Sequence, residues 1–365
     1  MEGKKLDIDY DGLGLEEAVT YAQRDAVIEI ADQGLLSISQ LVQNGAIDVS
    51  PKFQRRDRWP MDKQALLIES FISNIPVPPV YLAEDAAAIG SYAVIDGKQR
   101  LTAISLFFSN DLILKGLHRI PQLNGRRFSD LPRGLQNLIS MKNLRVTTLL
   151  RQSNDDLKHE VFLRLNTGGE VLNQQEIRNV AYRGPLNELI YDLAENEFLR
   201  TQFRINPPNS PAYRQMMDAE FVLRFLTLQR TWRNSRGELR YEMDEFMNLY
   251  RFAEVGQLRR MRDSFNFTIE IVELIWGGDA FKRPSRNQAL AGMYDAQMIA
   301  IHEIGPDSAA ILVRNAQSIR KYTTQLFNDH DFDEAVRQGT NTPSRLRLRT
   351  ERMIEMLRYV AESHT

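Results

Sequence analysis

The sequence predicts an α+β protein in which a mixed region of strands and helices is followed by a region of helices alone. Strand-like apolar runs alternate with helical patterns up to about residue 150, and almost only helical patterns recur from residue 186 onward. With 365 residues, of which 43% are hydrophobic, the chain is long enough for two cores. We therefore expect two domains, over residues 1–185 and 186–365.

Hydrophobic spacing and turn residues predict the elements of the N-terminal region. The first predicted elements are helices over 15–32, 37–45 and 62–75, which end at turn residues such as Gly45 and Pro76. Two strands, 79–84 and 91–96, are expected to pair as a hairpin. The remaining elements are a helix over 101–108, β segments over 112–120 and 125–132, a helix over 134–140 and a strand over 144–150.

The second half of the chain shows helical patterns with few interruptions. A helix over 153–166 is followed by two glycines, and the next helix begins at Asn173, whose spacing to Glu176 is that of a capping box. Further on, Gly, Pro, Asn and Ser interrupt the helical pattern at 206–211, 276–279 and 339–344. These patterns predict a C-terminal domain made of helices.

Composition excludes several classes of protein. The chain has 46 Lys and Arg against 48 Asp and Glu, a net charge of −2, so any basic surface for nucleic acid must be local. The lack of cysteine excludes disulfides, thiolate metal sites and cysteine nucleophiles. The first residues lack the apolar core of a signal peptide, and no stretch approaches the roughly 18 apolar residues of a membrane span. We expect a cytoplasmic protein with no membrane partner.

The motif Asp-Gly-Lys-Gln-Arg lies between a predicted strand and the predicted helix that follows it. Gly97 can adopt the positive φ of a tight turn, while Lys98 and Arg100 bring cationic donors to a helix N-terminus that itself favours anions. Gln99 adds an amide in the first turn. Asp96 can be a helix cap or a local ion-pair partner, or it can hold a divalent ion or orient a water molecule against a phosphate.

Two more polar clusters accompany this motif. The segment FQRRDRW contains Gln54, Arg55 and Arg56, and it can be a solvated edge strand or a clamp for an anion. The segment FLRLNTGGEVLNQQEIRN can be a helix break followed by a cap, yet it concentrates carboxamides and arginines. Its candidate ligand-binding residues are Arg164, Asn166, Thr167, Gly168, Gly169, Gln175 and Arg178.

The motifs FQRRDRW, VIDGKQRLTAI and FLRLNTGGEVLNQQEIRN, in this order, resemble the N-terminal domain family of GmrSD-type, modification-dependent restriction proteins. The resemblance covers residues 30–185 and implies a ParB/sulfiredoxin-like fold. In that family an Asp-Gly-Gln-Gln-Arg motif is tied to nucleotide binding and hydrolysis, which implies catalytic roles for Asp96, Gln99 and Arg100. Gly97 would bind phosphate beside Lys98, which stands where the family has glutamine, and the two flanking clusters would complete the site.

Fusion members of this family also carry a His-Asn-His-like nuclease domain. The histidines of this chain, at 118, 159, 302, 330 and 364, lack the close spacing of such a site, so we expect this chain to have no nuclease activity. The segment NDHDFDE comes nearest, but a lone histidine among acids is typical of a solvated helix start. No Walker A loop occurs, which excludes a standard P-loop ATPase.

A late stretch, PSRLRLRTER, provides candidate DNA contacts. If it is helical, Arg345, Arg349 and Arg352 share a face, and together with the segment 281–286 they could form a local basic patch for DNA phosphates. The alternative is that these arginines pair with acids of the same domain.

These patterns together predict a nucleotide-binding protein, an NTPase, that acts in bacterial defence against foreign DNA. Fixed cations and Mg²⁺ would stabilise the phosphoryl charge of a nucleoside triphosphate. The expected partners are DNA, a nuclease or restriction subunit, and a second copy of the chain. The alternative is a non-catalytic nucleotide or DNA sensor that regulates a partner nuclease. DNA cleavage by the N-terminal domain itself is disfavoured, since no compact carboxylate or histidine metal site is evident.

Overall fold

The computed structural model describes residues 27–49, 59–85, 89–153, 161, 164, 173–206 and 210–363. The chain separates into two compact units, Met1–Leu172 and Asn173–Thr365. This division falls earlier than the boundary predicted at 185/186, because the helix after Asn173 packs among the C-terminal helices. The first unit is a mixed sheet with helices and the second is largely helical, which confirms the predicted α+β class.

A five-stranded mixed sheet forms the centre of the first unit. Its strands are β1 (Ile28–Gly34), β2 (Ile47–Asp48), β3 (Val80–Glu84), β4 (Tyr92–Asp96) and β5 (Asn143–Leu149), in the spatial order β1-β5-β3-β4-β2. The pairs β1–β5 and β3–β4 are antiparallel, whereas β5–β3 and β4–β2 are parallel. Leu82 lies opposite Val94 between β3 and β4, which confirms the predicted hairpin.

The strand β1 corrects one prediction. The helix predicted over 15–32 lies partly outside the described residues, and its described end belongs to β1 instead. Ile28 pairs with Leu149 and Gly34 with Asn143, so a full ladder with β5 stabilises the extended conformation. Pairing with a strand more than a hundred residues away overrides the local helical spacing here, as tertiary context commonly does for strands.

Four described helices surround the sheet: α1 (Leu35–Gln43), α2 (Met61–Ile72), α3 (Lys98–Phe108) and α4 (Arg133–Ser140). Their apolar faces share one core with the strands, in which Ile68, Leu101 and Val146 are almost completely buried. The chain leaves α1 through Gly45, which has a φ of +80°. These four helices confirm the predicted helices in this part of the chain, with small differences at their ends.

The two β segments predicted over 112–120 and 125–132 are wrong. The chain there forms turns and two 3₁₀ helices, Pro121–Leu123 and Phe128–Asp130. Leu112, Leu114 and Leu117 are buried in the core of the sheet unit, so the apolar residues of this stretch are explained by burial along an irregular segment. A short apolar run does not distinguish a buried strand from a buried irregular segment.

The second unit contains helices along almost all of its described length. They are α5 (Gln174–Ala181), α6 (Pro185–Ala194), α7 (Glu197–Gln202), α8 (Pro211–Arg214), α9 (Met217–Thr231), α10 (Leu239–Tyr250), α11 (Val255–Trp276), α12 (Ala291–Ile304), α13 (Ala309–Arg314), α14 (Ala316–Leu326), α15 (His330–Arg337) and α16 (Pro343–Ser363). The predicted capping box begins α5: the Asn173 side chain accepts a hydrogen bond from the Glu176 N–H (2.9 Å), and the Glu176 carboxylate accepts one from the Asn173 N–H (2.7 Å).

The helices α9 and α12 form the interior of the second unit, where most of their side chains are buried. An aromatic cluster lies beside them: the rings of Phe203 and Phe221 stack with centroids 3.8 Å apart, and those of Phe281 and Tyr294 meet at 5.0 Å. Phe281 therefore anchors the loop between α11 and α12 in this core. Among the described residues, no helix combines the length and the apolar character needed to cross a membrane.

Candidate nucleotide site

The Asp-Gly-Lys-Gln-Arg motif forms a tight junction between β4 and α3. β4 ends at Asp96, Gly97 has a φ of +99°, and α3 begins at Lys98. A Cβ atom on Gly97 would lie 2.4 Å from the Cγ1 of Val80, so both the backbone conformation and the available space require glycine. The junction therefore has the form that the sequence predicts.

The first turn of α3 contains no acidic residue, and its N-cap residue, Gly97, provides no side-chain hydrogen bond to the helix. Leu101, Ile104 and Phe107 are fully buried and fix the helix in the core. Phe108, whose helical spacing from Leu101 and Ile104 also predicts burial, is only partly buried. Since the first backbone N–H groups of a helix have no partner within the helix, this end of α3 favours an anion beside Lys98.

Asp96 and Arg100 are bound to each other at the junction. The Arg100 Nη2 atom donates to Asp96 Oδ2 at 2.8 Å and to the carbonyl oxygen of Pro79 at 3.0 Å. The Arg100 side chain is 13% exposed and that of Asp96 is 40% exposed. Of the interpretations open for Asp96, the structure shows the local ion pair and not the helix cap.

Gln99 joins this junction to the end of the FQRRDRW segment. Its Oε1 atom accepts a hydrogen bond from the backbone N–H of Trp59 at 3.0 Å. The Trp59 carbonyl in turn accepts from the Gln64 side chain at 2.9 Å, and the Lys63 ammonium lies 4.5 Å from the Trp59 ring centroid. Two of the three sequence motifs thus meet in the first unit.

Several predicted site residues lie outside the described residues: Gln54, Arg55, Arg56, Asn166, Thr167, Gly168 and Gly169. Arg164 is described and is exposed. The structure adds two residues that the sequence analysis did not select, Pro79 through its carbonyl and Val80 through its contact with the position of Gly97. Both residues could have been found from their position at the start of the predicted strand 79–84, which the predicted hairpin brings beside β4.

Gln175 and Arg178 lie in the core of the second unit, which corrects their predicted role in phosphate binding. They are 0% and 2% exposed. The Arg178 Nε atom donates to Asp244 Oδ1 at 2.6 Å, and its Nη2 atom donates to the Arg240 carbonyl at 3.2 Å. A phosphate could reach Arg178 only if this buried pair opened, and a buried guanidinium without its carboxylate is strongly unfavourable.

The candidate DNA contacts on α16 are corrected in the same way. Arg349 is completely buried and donates to Asp295 Oδ2 at 2.5 Å. Arg345 contacts Glu334 at 2.6 Å, and Arg352 lies 3.4 Å from Asp329. The alternative interpretation, in which these arginines pair with acids of their own domain, is therefore confirmed for all three.

Comparison with family models identifies the first unit. Residues 38–183 match the GmrSD restriction endonuclease, N-terminal domain, a segment that is less than half of the chain and that includes the 96–100 motif. Comparison with curated proteins and with solved structures found no significant match. The three motifs, the strand-to-helix junction and this match agree, and the chain therefore contains a domain of the GmrSD restriction endonuclease N-terminal family.

Proposed function

We propose that the junction between β4 and α3 binds the phosphates of a nucleoside triphosphate. The observation that carries this proposal is the start of α3, where Gly97 in the left-handed region leads directly into a helix without a side-chain cap or an acid in its first turn. Lys98, the first residue of that helix, adds a full positive charge where the helix dipole already attracts anions. The two effects reinforce each other at one point of the surface.

The residues of the junction have distinct roles in this proposal. Lys98 and the first backbone N–H groups of α3 contact phosphate oxygens. Arg100 is a positioning residue, because its Nη2 atom is bound to Asp96 and to the Pro79 carbonyl. Asp96 is half-exposed, so its carboxylate can accept a proton or a hydrogen bond from a water molecule that attacks the terminal phosphate.

Mg²⁺ commonly accompanies nucleoside triphosphates, and it is held in proteins by oxygen ligands such as carboxylates. Among the described residues, no group of three or more His, Asp or Glu side chains could hold a metal ion. Asp96 is a single carboxylate, and one of its oxygens already accepts from Arg100. The described residues therefore do not form a magnesium site of their own, and the proposed chemistry uses no step through this ion.

We further propose that the chain acts in restriction of foreign DNA, as an NTPase that works with DNA and with a partner nuclease. The support is the description of the matching family, a restriction endonuclease N-terminal domain. The second candidate is a sensor that binds nucleotide without hydrolysing it. The ion pair between Asp96 and Arg100 favours this candidate, since one of the carboxylate oxygens already accepts a hydrogen bond from Arg100.

Asp96→Asn separates the enzyme from the sensor. The amide keeps the shape of the side chain and removes a negative charge near the phosphates, so nucleotide should bind as well as in the wild type or better. Phosphate release should fall by about 10²-fold or more if Asp96 acts on the attacking water. Calorimetric titration with ATP, GTP, CTP and UTP and a phosphate-release assay, with and without DNA, measure the two effects. A wild type that binds nucleotide but never releases phosphate supports the sensor.

Arg100→Ala tests the positioning role, with Arg145→Ala as the matched control. Arg145 is in the same unit and forms an exposed ion pair with Asp32 at 2.9 Å. The Arg100 variant should lower nucleotide affinity by about tenfold or more, because it leaves the Asp96 carboxylate beside the phosphates without the arginine that holds it, and such charge-assisted hydrogen bonds contribute roughly 1.5–3 kcal/mol. The Arg145 variant should bind nucleotide like the wild type. Equal loss in both variants would mean that only net charge matters, and the proposed site would be wrong.

A further inference from the structure

The second unit contains a basic pocket at the end of α11. It includes the segment 281–286, which the sequence analysis considered only together with the arginines of α16, and it lies outside the family match. The pocket has a volume of about 510 Å³ and lies between the loop after α11 and one face of α14. Its cationic lining residues are Lys282, Arg283, Arg286 and Arg320, and the lining contains one acid, Asp279. We propose that this pocket binds the phosphate backbone of double-stranded DNA.

The loop that carries three of these cations is held rigidly. The backbone N–H of Phe281 donates to the Gln297 side chain at 2.7 Å, and its carbonyl accepts from the Leu290 N–H at 2.8 Å. Lys282 and Ala289 form an antiparallel bridge, which closes the loop into a short hairpin. Since the Phe281 side chain is fully buried, the loop presents its cations without first having to become ordered.

The opposite wall of the pocket is fixed as well. The indole N–H of Trp276 donates to the Thr323 hydroxyl at 2.9 Å, which ties the end of α11 to α14. Arg320 lies one turn before Thr323 on α14 and is exposed. Cations from two separate elements therefore surround one cavity that already exists in the folded unit.

The charges of this pocket differ from those of the other arginine clusters in the unit. Arg286 and Arg320 are exposed, and neither side chain forms an ion pair with another described residue. Lys282 donates to the neutral carbonyl of Gly278 at 2.6 Å, so its charge is not cancelled. Of these four cations, Arg283 is the one that has a carboxylate partner among the described residues, Asp333, at 3.0 Å. The pocket thus retains a net positive charge.

Two features favour a DNA backbone over a small anion. A site for a small anion encloses it with buried donors, whereas the two unpaired cations here are exposed at the pocket surface. Exposed cations that release counterions from phosphates are typical of nucleic-acid contacts. The inference rests on the DNA partner of the proposed function, but it uses residues of the other unit and can fail independently of the nucleotide site.

The test is the double variant Arg286→Ala/Arg320→Ala in the full chain. Its affinity for a short DNA duplex, measured by fluorescence anisotropy at low salt, should fall by about tenfold or more. The slope of log K against log salt concentration should become shallower by about 1.8, the value for two lost phosphate contacts. Nucleotide binding at the β4–α3 junction should be unchanged.

Arg259→Ala/Arg260→Ala is the matched control, because it removes two exposed arginines from the far end of α11, the helix whose other end borders the pocket. These residues lie about 24 Å from Trp276 along α11, at 1.5 Å per residue. The control should bind DNA like the wild type. DNA binding by the pocket variant at the wild-type affinity and slope would overturn the inference, and so would equal losses in both variants or a wild type without affinity for the duplex. Loss of stabilisation by inorganic phosphate with intact DNA binding would identify a small-anion site instead and would also overturn it.

Discussion

The two units stabilise buried carboxylates with different hydrogen-bond donors, backbone N–H groups in the first unit and arginine side chains in the second. In the first unit, the buried carboxylate of Glu69 on α2 accepts hydrogen bonds from the backbone N–H groups of Arg119 (2.7 Å) and Ile120 (3.0 Å). Burial raises the pKa of Glu69, whereas these N–H groups and the nearby His118 lower it. The lowering effects are larger in total, so the pKa of Glu69 lies below its usual value. In the second unit, buried carboxylates are held by arginines instead.

Asp295 on α12 shows the second arrangement most clearly. Its carboxylate accepts from Arg224 at 2.5 and 2.6 Å and from Arg349 at 2.5 Å, and Asp295 and Arg349 are almost completely buried. Burial lowers the pKa of Arg349, with Arg224 acting in the same direction and Asp295 opposing it. The comparison teaches that Arg178, Arg224 and Arg349 are parts of the core of the second unit, where each is paired with an acid that is distant in sequence.

The largest expected effect comes from Asp295→Asn, which leaves two buried guanidinium groups without a carboxylate. Breaking a buried pair in this way costs about 3–5 kcal/mol, so the second unit should unfold at much lower urea concentration. Trp232 and Trp276 are both buried in this unit, so tryptophan fluorescence reports its unfolding. The control is Asp263→Asn, because Asp263 forms an exposed ion pair with Arg259 at 3.9 Å. This variant should change the free energy of unfolding by less than about 0.5 kcal/mol. Equal effects would contradict the distinction between buried and exposed pairs.

The next effect comes from Gly97→Ala at the nucleotide junction. The new Cβ would lie 2.4 Å from Val80 Cγ1, and the alanine backbone would have to adopt the left-handed region. The clash and the backbone strain together should lower the free energy of unfolding by about 2–4 kcal/mol. Gly90→Ala is the control, since Gly90 has a φ of +77° and nothing within 4 Å, and it should cost about 1 kcal/mol. Hydrogen exchange of the β3 and β4 amides measures both. Equal losses would mean that the contact with Val80 has no effect.

The sequence predicted correctly those features that depend on residues close together in the chain. The hairpin, the turn at Gly97 and the capping box of Asn173 and Glu176 depend on residues a few positions apart, and the structure contains all three. It could not reveal that Arg178 binds Asp244 or that Arg349 binds Asp295, because these partners lie 66 and 54 residues away. For the same reason β1 was predicted as a helix, since its partner strand lies at the other end of the unit.

A smaller effect concerns His302 on α12. Burial lowers its pKa, although the adjacent Glu303 partly opposes the shift. The unfolded chain therefore binds a proton at a higher pH than the folded chain does, and stability should fall as the pH decreases below the unfolded value of about 6.5, until the folded pKa is reached. The effect comes from a single imidazole group. A difference of one pKa unit between the folded and unfolded chain would change the free energy of unfolding by only about 1.4 kcal/mol.

His302→Gln should remove that part of the pH dependence from urea unfolding between pH 7 and pH 5. His330→Gln is the control, because His330 is exposed at the start of α15. The His302 prediction would be wrong if the variant and the wild type lost stability in parallel over this range. Such a result would show that His302 does not contribute to the acid sensitivity of the second unit.

The smallest expected effect is that of Arg345→Ala/Arg352→Ala on DNA binding. Both side chains are partly exposed but contact acids, Arg345 with Glu334 and Arg352 with Asp329 and Glu355. Their charges are locally balanced, so DNA affinity should change by less than about twofold and the salt slope should stay the same. Arg349 is left unchanged because its removal would take away one of the two arginine partners of the buried Asp295 and confuse stability with binding. The same anisotropy titration as for the Arg286/Arg320 variant provides the measurement. A shallower slope would show that these pairs open toward DNA phosphates, and the contrast between core arginines and ligand-binding arginines would then fail at α16.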